Sequence, residues 1–328
     1  MNIISIYTFK ILRRIYTKII NKKEVKPECE QDSDNATKLI YDALLNDEPC
    51  MIVRFGSTIK LNCLNNYQGV CNENKSVVAY LKNEASPWWW EKNTVKQMQD
   101  WSGFFPAEIS QIEKFCKLML QDIPEVDILG SWLANERLVD NILNAKKIHL
   151  RLLEPFWSDY PWTKALKDKK VLVIHPFVTS IQNQYNRRDL LFKNRDILPS
   201  FKSITVIEAV QSLGEGDARF VDWFQALDYM KSEMDKVDYD VCLVGAGAYG
   251  FHLAAHAKRK GKKGIHIGGA LQLLFGIRGK RWEDPNYGVE VWGIPKGFYP
   301  VIMNEYWIRP QKNETTISVN NVEGACYW

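Results

Sequence analysis

Residues 239–269 read YDVCLVGAGAYGFHLAAHAKRKGKKGIHIGG, and this stretch decides the fold. A continuously apolar run, VCLV, ends in a glycine-rich turn and is followed by a helix-like segment. A second apolar run, GIHI, then ends in two more glycines. Strands that are apolar along their whole length and separated by helices are typical of a parallel sheet covered on both faces. The stretch therefore predicts a strand, a helix and a second strand parallel to the first.

The same alternation continues on the amino-terminal side of this stretch. Further apolar runs are separated by segments of helical period, among which we expect helices at residues 134–144 and 179–194. The runs are CMIV (50–53), VDIL (126–129), KKIHLRLLEP (146–155), VLVI (171–174) and ITVI (204–207). We therefore predict one α/β domain over residues 36–308, with a Rossmann-like, mostly parallel sheet and helices on both faces. Residues 309–328 are predicted to form an irregular tail.

The composition is that of a globular protein. Of the 328 residues, 46% are hydrophobic and 25% are charged, which excludes disordered and collagen-like chains. The net charge of +4 is not spread evenly, because residues 1–26 hold seven basic side chains and one acidic one. The remainder of the chain is therefore slightly acidic. A protein without a basic body is not expected to bind nucleic acid.

Residues 1–26 are predicted to form a separate unit, a basic amphipathic helix. An advance of 100° per residue places apolar side chains on one half of the helix and basic side chains on the other. The apolar half holds Ile4, Ile11, Leu12, Ile15, Tyr16 and Ile19, and the basic half holds Lys10, Arg13, Arg14 and Lys18. Such a helix either lies on an anionic membrane surface or packs its apolar half against its own domain.

The sequence favours a cytoplasmic location. The seven cysteines are an odd number without the spacing of a metal site, and no secretory signal is recognised. Basic residues interrupt the apolar amino-terminal segment too often for a transmembrane span. If the amphipathic helix binds lipid, the protein is peripheral at the inner membrane face.

The glycine-rich turn after VCLV is the first candidate binding site. Gly245, Gly247, Tyr249 and Gly250 lie between a strand and the start of a helix, where backbone N–H groups can bind a phosphate. The alternative is a turn whose glycines allow tight packing of helix on strand. A dinucleotide site is disfavoured, because the next strand ends in Gly268-Gly269 and not in an acid that could bind a ribose.

Two more candidate sites follow predicted strands. Arg54, Gly56 and Ser57 lie directly after CMIV, where an arginine can bind a phosphate through two hydrogen bonds. Ser57 is also suited to cap the next helix. His175 ends the VLVI strand and is either a hydrogen-bond donor to substrate or a buried structural histidine.

Charged loops supply the remaining candidates. Glu215 and Asp217 lie among glycines after the ITVI strand and suit a general base or a metal ligand, or equally an exposed turn. Lys280 and Arg281 adjoin Trp282 and could neutralise a diphosphate, or belong to an ordinary charged loop. Because the carboxyl ends of parallel strands form the binding edge of open α/β sheets, these sites together suit a nucleotide diphosphate that carries a sugar.

The chain resembles bacterial glycosyltransferases of the GT-D type, a Rossmann-like group found among enzymes of surface-polysaccharide synthesis and adhesin glycosylation. The resemblance covers residues 40–285 and rests on MIVRFGS and on LVGAGAYG followed by IHIGG. In that family an Arg-aromatic-Gly turn precedes an Asp-x-Glu pair that holds a divalent metal, Mn²⁺ or Mg²⁺. Residues 54–56 match the turn, whereas Ser57 and Ile59 stand where the acids are expected.

The resemblance implies transfer of a sugar from a nucleotide-sugar donor to a glycan or lipid-linked acceptor. Arg54, the turn at residues 245–250, Lys280 and Arg281 would bind the donor phosphates, with Glu215 as the base and Asp217 in reserve. The metal ligands stay unassigned. Two alternatives remain at this stage, an NAD- or FAD-dependent oxidoreductase that uses the glycine-rich turn, and a non-catalytic subunit that binds a sugar nucleotide without turnover.

Overall fold

The computed structural model describes residues 2–20, 26–56, 58–212, 217–314 and 327–328. Seven parallel strands form one sheet in the order β3-β2-β1-β7-β6-β4-β5. They are β1 (Cys50–Val53), β2 (Ile128–Ser131), β3 (Lys146–His149), β4 (Lys170–His175), β5 (Ser203–Glu208), β6 (Val241–Val244) and β7 (Lys263–His266). The prediction of an α/β fold is confirmed, and the described sheet is parallel throughout.

Helices surround this sheet. They are α1 (Ile3–Ile20), α2 (Ser33–Leu45), α3 (Thr58–Cys71), α4 (Val77–Leu81), α5 (Lys92–Ser102), α6 (Ile109–Asp122), α7 (Val178–Asn186), α8 (Trp223–Asp235), α9 (Gly250–Arg259), α10 (Leu271–Leu274), α11 (Lys280–Glu283), α12 (Val289–Trp292) and α13 (Phe298–Ile302). Two predicted helices are shorter than expected. Residues 134–139 form a 3₁₀ turn, and the helix after β4 ends at Asn186.

Alternation along each strand divides the core into two layers. Met51 and Val53 of β1 point to a cluster that contains the inner faces of α3, α5, α6, α8 and α9. Cys50 and Ile52 point to the opposite cluster, with α2, α7 and α10. Successive side chains of a strand point to opposite faces, so a strand that is apolar at every position is buried between two helical layers. This confirms the helices on both faces.

The chain order opens a crevice at the carboxyl edge of the sheet. The chain runs from β1 outward to β3, crosses to β4 and β5 at the other edge, and fills the centre last with β6 and β7. The helices that follow β4 and β6 lie on opposite faces of the sheet. Ligands bind outside the carboxyl ends of strands at such a reversal. The turns after β1, β7, β6 and β4 therefore form the expected binding edge.

Two basic side chains of helix α1, Lys10 and Arg13, face the domain, whereas Arg14 and Lys18 are exposed. Lys10 Nζ pairs with Glu91 at 2.5 Å, Arg13 lies 4.4 Å over the ring of Tyr80, and Phe9 packs on Trp88. The apolar half faces outward, with Ile4 69% and Ile19 77% exposed. The expectation that this half packs on its own domain is therefore wrong. Among the residues described, no helix is long and apolar enough to cross a membrane.

The described parts of the tail return to the domain. Glu314 is buried and its Oε1 accepts a 3.0 Å hydrogen bond from the backbone N–H of Ser180, in the first turn of α7. Tyr327 O accepts a 3.1 Å hydrogen bond from Gln272 Nε2. These contacts place Tyr327 beside the turn that follows β7.

Candidate functional site

A cavity of about 40 Å³ lies at the carboxyl edge of β1, β3 and β7. One carboxyl group, three guanidinium groups and several aromatic rings converge on it. They belong to Glu154; to Arg54, Arg151 and Arg281; and to Trp282, Tyr287, Trp292, Tyr299 and Tyr327. Cationic groups beside aromatic rings and a carboxyl group are suited to an anionic ligand with a flat or cyclic part. Arg54 and Arg281, for which a shared role at the donor phosphates is predicted, thus line the same cavity.

Arg54 leaves β1 directly into the cavity. Its Nη2 donates a 2.5 Å hydrogen bond to Gly56 O, and its guanidinium carbon lies 6.0 Å from the ring of Trp132. The buried Nε has no hydrogen-bond partner among the described residues. Burial lowers the pKa of Arg54, although arginine stays protonated throughout the accessible pH range. The side chain therefore offers a fixed positive charge with spare donors.

Glu154 is a site residue that the sequence analysis did not single out. A 3₁₀ turn follows β3 and delivers its carboxylate to the cavity, where Oε2 accepts a 2.8 Å hydrogen bond from Tyr299. Burial raises the pKa of Glu154 to about 7. A carboxyl group that titrates near neutral pH can take up and release a proton during a reaction. The available signal was its position beyond the 3₁₀ turn that follows β3.

Arg281 sits among aromatic rings. Its guanidinium carbon lies 4.5 Å from the ring centroid of Tyr327 and 5.6 Å from those of Trp282 and Tyr287. Its Nη1 also donates to the hydroxyl of Tyr327 at 3.3 Å. Stacking holds the planar group in one orientation, so the charge is positioned before any ligand arrives. Lys280, its predicted companion, is exposed and does not line the cavity.

The glycines of the glycine-rich turn differ in their surroundings. A Cβ at Gly245 would lie 2.5 Å from the ring of His175, and one at Gly250 would collide with the ring of His266. These two glycines permit close packing, as in the structural interpretation. Gly247 differs, because its φ of +49° favours glycine and no atom of the other described residues lies within 4 Å of its Cβ position. Gly247 is thus the member of this turn with open space beside it.

Tyr249 and His175 are parts of the core. Tyr249 stacks on Trp223 with the ring centroids 4.9 Å apart, and its hydroxyl is hydrogen bonded to Ser212. His175 is buried, and its Nδ1 accepts a 3.1 Å hydrogen bond from the N–H of Phe177. Burial lowers the pKa of His175 to about 3, so the ring is neutral at physiological pH. The structure supports the structural interpretation of both.

Asp217 lies away from the cavity and is engaged by Arg219. Arg219 Nη2 is 2.7 Å from Asp217 Oδ2, and this pairing lowers the pKa of Asp217. A carboxylate held in an ion pair is a weak base. The predicted base Glu215 and the predicted phosphate ligand Ser57 lie outside the described residues.

Lys60 is a second residue that the sequence analysis missed. It lies on α3 with only 4% of its surface exposed, and its Nζ donates a 3.2 Å hydrogen bond to Ala248 O. Burial lowers the pKa of Lys60 to about 7. The signal was a lysine on the apolar face of a helix, three and four residues before the buried Cys63 and Leu64.

The described side chains at this edge do not suit a divalent cation. Among the described residues there is no group of three or more His, Cys, Asp or Glu side chains that could hold a metal ion. The groups nearest Gly56 are the cations of Arg54 and Lys60, and Ile59 is buried in the core. Hard cations bind several oxygen ligands, whereas positive side chains repel them.

No protein-family model, curated protein or solved structure matches this chain. The likeness to glycosyltransferases of the GT-D type stays a prediction that rests on the residues quoted above.

Proposed function

We propose that this protein is a glycosyltransferase that moves a sugar from a nucleotide-sugar donor to a hydroxyl of a glycan or lipid-linked acceptor, in the synthesis of a surface polysaccharide. One observation carries the proposal. Arg54, Arg281 and the titratable Glu154 converge on one aromatic-lined cavity at the carboxyl edge of a parallel sheet. In such a reaction the leaving diphosphate needs cations, the acceptor proton needs a base, and the sugar ring needs a flat surface to pack on. The arginines, Glu154 and the aromatic rings are groups of these three kinds.

Each group has a definite task in this reaction. The bond between the anomeric carbon and the phosphate oxygen breaks, and the diphosphate leaves with both electrons of that bond. Arg54 and Arg281 stabilise the negative charge that develops on it. The acceptor oxygen forms the new bond to the anomeric carbon, and its proton passes to the carboxylate of Glu154. The aromatic rings at 282 and 287 provide faces for the base or sugar.

The cavity must widen to admit the donor. Its 40 Å³ holds a few water molecules, whereas pockets for drug-sized ligands measure about 300–1,000 Å³. Tyr327 forms part of the wall, and its ring lies against Gly269, where a Cβ would collide with it. We infer that Tyr327 moves aside when the donor binds. The adjacent sheet edge can stay fixed during this movement.

Nucleotide binding tests the proposal directly. The full-length protein is screened by thermal shift and titration calorimetry against UDP, GDP, CMP and NAD, each with and without Mn²⁺. A ligand at a hundredfold excess over its Kd raises stability by about 2.7 kcal/mol. A shift with one nucleoside diphosphate, lost in Arg54→Gln, supports the proposal and defines the donor class. A shift with NAD alone supports the oxidoreductase, and donor binding without turnover supports the non-catalytic subunit.

We further propose that α1 binds the protein to an anionic membrane surface, which is where a lipid-linked acceptor lies. The support is the orientation of the helix. Its outward half carries Ile4, Ile11, Ile15 and Ile19, each more than half exposed. Arg14 and Lys18 are also exposed and can reach lipid phosphates beside this half. Exposed isoleucines flanked by cations are complementary to an anionic lipid interface.

A further inference from the structure

We propose that Arg54 and Lys60 form a phosphate site built into the fold, in which the guanidinium group of Arg54 and the amino group of Lys60 hold the donor diphosphate without a divalent metal. The ligand class is a phosphate or diphosphate anion. This inference rests on the proposed function for the nucleotide part of the ligand, whereas the anion site stands on its own observations. Lys60 has no place in the sequence motifs described above, and the proposed function does not use it.

The first observation is the position of the two cations around Gly56. Arg54 Nη2 donates to the carbonyl oxygen of Gly56, and Lys60 Nζ lies 3.6 Å from the position of a Cβ on the same glycine. Gly56 has a φ of +81°, so this turn requires a residue without a side chain. Both charges thus flank a backbone turn that a ligand can approach closely.

The second observation is that three glycine turns meet at this point. Arg54 Nη1 lies 3.4 Å from the Cβ position of Gly268, after β7. The carbonyl oxygen of Gly268 in turn lies 3.1 Å from the Cβ position of Gly245, after β6. Lys60 donates to Ala248, and the neighbouring Gly247 faces open space. Side-chain-free backbone from β1, β6 and β7 therefore surrounds the two cations, as close approach to a phosphate requires.

The third observation is the missing counter-ion. Among the described residues, neither Arg54 nor Lys60 forms a direct ion pair with a carboxylate, and Glu154 acts on Arg54 only from across the cavity. Within the described part of the chain, Lys60 has a single hydrogen bond, to a carbonyl oxygen, although its ammonium group carries three donors. A buried charge without a partner destabilises the fold, and such groups are concentrated at functional sites. A bound anion would supply the missing partner.

The lysine at residue 263 shows what a structural buried lysine looks like in this protein. Its Nζ donates to Ala43 O, Asn46 O and Asn46 Oδ1 at 2.7–2.9 Å, and also to Glu48 O. Several carbonyl oxygens thus solvate the ammonium group of Lys263 in place of water. Lys60 has one such partner at 3.2 Å. Lys263 therefore has a structural role, whereas Lys60 has N–H donors that remain available to a ligand.

The groups that face Lys60 are basic, except for one distant acid. Arg54 approaches from the end of β1, His266 from β7 and His252 from α9, and His252 is bonded to Asp122 of α6 at 2.6 Å. Burial lowers the pKa of His266 to about 3, so that ring stays neutral. A bound anion should therefore raise the pKa of Lys60, so that the amine takes up a proton when the anion binds at pH 7–8.

The test uses the full-length protein with excess chelator, titrated with UDP, GDP and inorganic pyrophosphate. The variant Lys60→Met keeps the length of the side chain and removes the charge. Lys236→Met, at an exposed lysine paired with Glu233, is the matched control. We expect binding without metal, at least tenfold weaker binding in K60M, and unchanged binding in K236M. The melting temperature of K60M should equal or exceed that of the wild type, because a partly solvated buried charge is removed.

Sulfate provides a second readout that needs no variant. Sulfate does not titrate near neutral pH, so any proton taken up from the buffer on binding is bound by the protein and not by the ligand. Calorimetry at pH 8 in two buffers of different ionisation heat should show uptake of a fraction of one proton in the wild type. Sulfate binding without proton uptake overturns the role of Lys60.

The remaining outcomes separate this inference from the proposed function. Unchanged affinity in K60M, or binding only with Mn²⁺, overturns the anion site while the glycosyltransferase proposal stands. Lys60-dependent binding of pyrophosphate without binding of any nucleoside diphosphate supports the anion site and overturns the proposed donor. Failure of all three anions to bind overturns both. A lower melting temperature in K60M with unchanged binding assigns Lys60 to the core.

Discussion

The hydroxyl of Tyr299 donates a 2.8 Å hydrogen bond to Oε2 of Glu154 inside the cavity. Burial raises the pKa of Glu154 to about 7 and also raises the pKa of Tyr299, so the tyrosine remains a donor at neutral pH. A donor to a carboxylate favours its charged form, but here the loss of solvent is the larger effect. Glu154 is therefore divided between acid and base forms near pH 7, which suits proton transfer.

Replacement of Glu154 should remove this proton transfer. In Glu154→Gln we expect kcat for donor hydrolysis or sugar transfer to fall by about 10²–10⁴, with little change in donor affinity. Glu290→Gln, at an exposed glutamate on α12, is the control and should keep full activity. The pH profile of kcat in the wild type should show a limb near pH 7. Full activity in E154Q would exclude Glu154 as the base.

The same carboxyl group makes stability depend on pH. Its folded pKa of about 7 lies above the ordinary value of 4.5, so the folded state binds the proton more tightly than the unfolded state. The stabilisation is complete below pH 4.5 and is lost as the pH rises through 7. At about 1.4 kcal/mol per pH unit, the loss is on the order of 3 kcal/mol.

Urea unfolding at pH 5 and pH 8 measures this effect as a difference between two proteins. The wild type should lose more free energy of unfolding than E154Q over that interval, because the amide does not titrate. Other carboxyl groups contribute equally to both curves and cancel. Parallel curves for the two proteins would show that Glu154 titrates in its ordinary range.

The fold could be predicted from sequence because several strands of the sheet show the same pattern of continuous apolar residues. Every residue of β6 is buried, and the same is true of β1 and β7, so the apolar runs reveal strands without any alignment. Boundaries were less certain. Residues 134–144 have helical period, yet buried Glu136 accepts hydrogen bonds from the N–H groups of Trp132 and Leu133 and holds a 3₁₀ turn there. The spacing of apolar residues in the sequence does not reveal a side-chain contact of this kind.

Only some of the site residues could be predicted from the sequence. Arg54 was predicted because it follows a strand and its chemistry is evident. Glu154 was missed because a 3₁₀ turn separates it from β3, and Lys60 because it lies within a helix. Both owe their chemistry to burial, which depends on residues far away in the chain. The orientation of α1 was hidden for the same reason, since it depends on the contacts of Lys10 with Glu91 and of Arg13 with Tyr80.

The packing of α9 on β7 gives a prediction about stability. Gly250→Ala places a methyl group against the ring of buried His266, which is fixed by a 3.1 Å hydrogen bond to Val244 O. Overpacking of this kind typically costs about 1–3 kcal/mol. We expect a matching fall in the free energy of unfolding, measured by denaturant titration.

Gly247→Ala is the comparison for this variant. Its Cβ would enter open space, so only the φ of +49° opposes the change, at roughly 1–2 kcal/mol. Gly261→Ala combines open space with a φ of +74° at a site on the opposite edge of the sheet. We expect G247A to weaken diphosphate binding and G261A to leave it unchanged. Equal binding in both would remove Gly247 from the phosphate site.

Tyr327 should limit entry to the cavity. Tyr327→Ala removes the ring that lies on Gly269 and the hydroxyl that accepts from Arg281. We expect a faster association of the nucleoside diphosphate and an affinity that is equal or higher, measured by stopped-flow fluorescence. Tyr306→Ala, at a more exposed tyrosine outside the cavity lining, is the control. Weaker binding in Y327A would instead assign the ring to the ligand, as a stacking surface.

Helix α1 should bind the protein to anionic vesicles through its outward half. In the double variant Ile11→Ser/Ile15→Ser, two side chains that are 58% and 51% exposed lose their apolar surface while the inward contacts of Lys10 and Arg13 remain. Burial of an isoleucine contributes about 1.5–3 kcal/mol, so vesicle affinity should fall more than tenfold. Cosedimentation with phosphatidylserine vesicles and with neutral vesicles measures the change.

The control replaces apolar side chains that are equally available but lie elsewhere. Val221 and Val301 are each 83% exposed on the body of the protein, and Val221→Ser/Val301→Ser should leave vesicle binding unchanged. Wild-type binding should also weaken with salt and on neutral lipid, because Arg14 and Lys18 contribute about 1 kcal/mol each near an anionic surface. If both double variants bind equally, or neutral vesicles bind as well as anionic ones, then α1 is not the element that recognises the membrane.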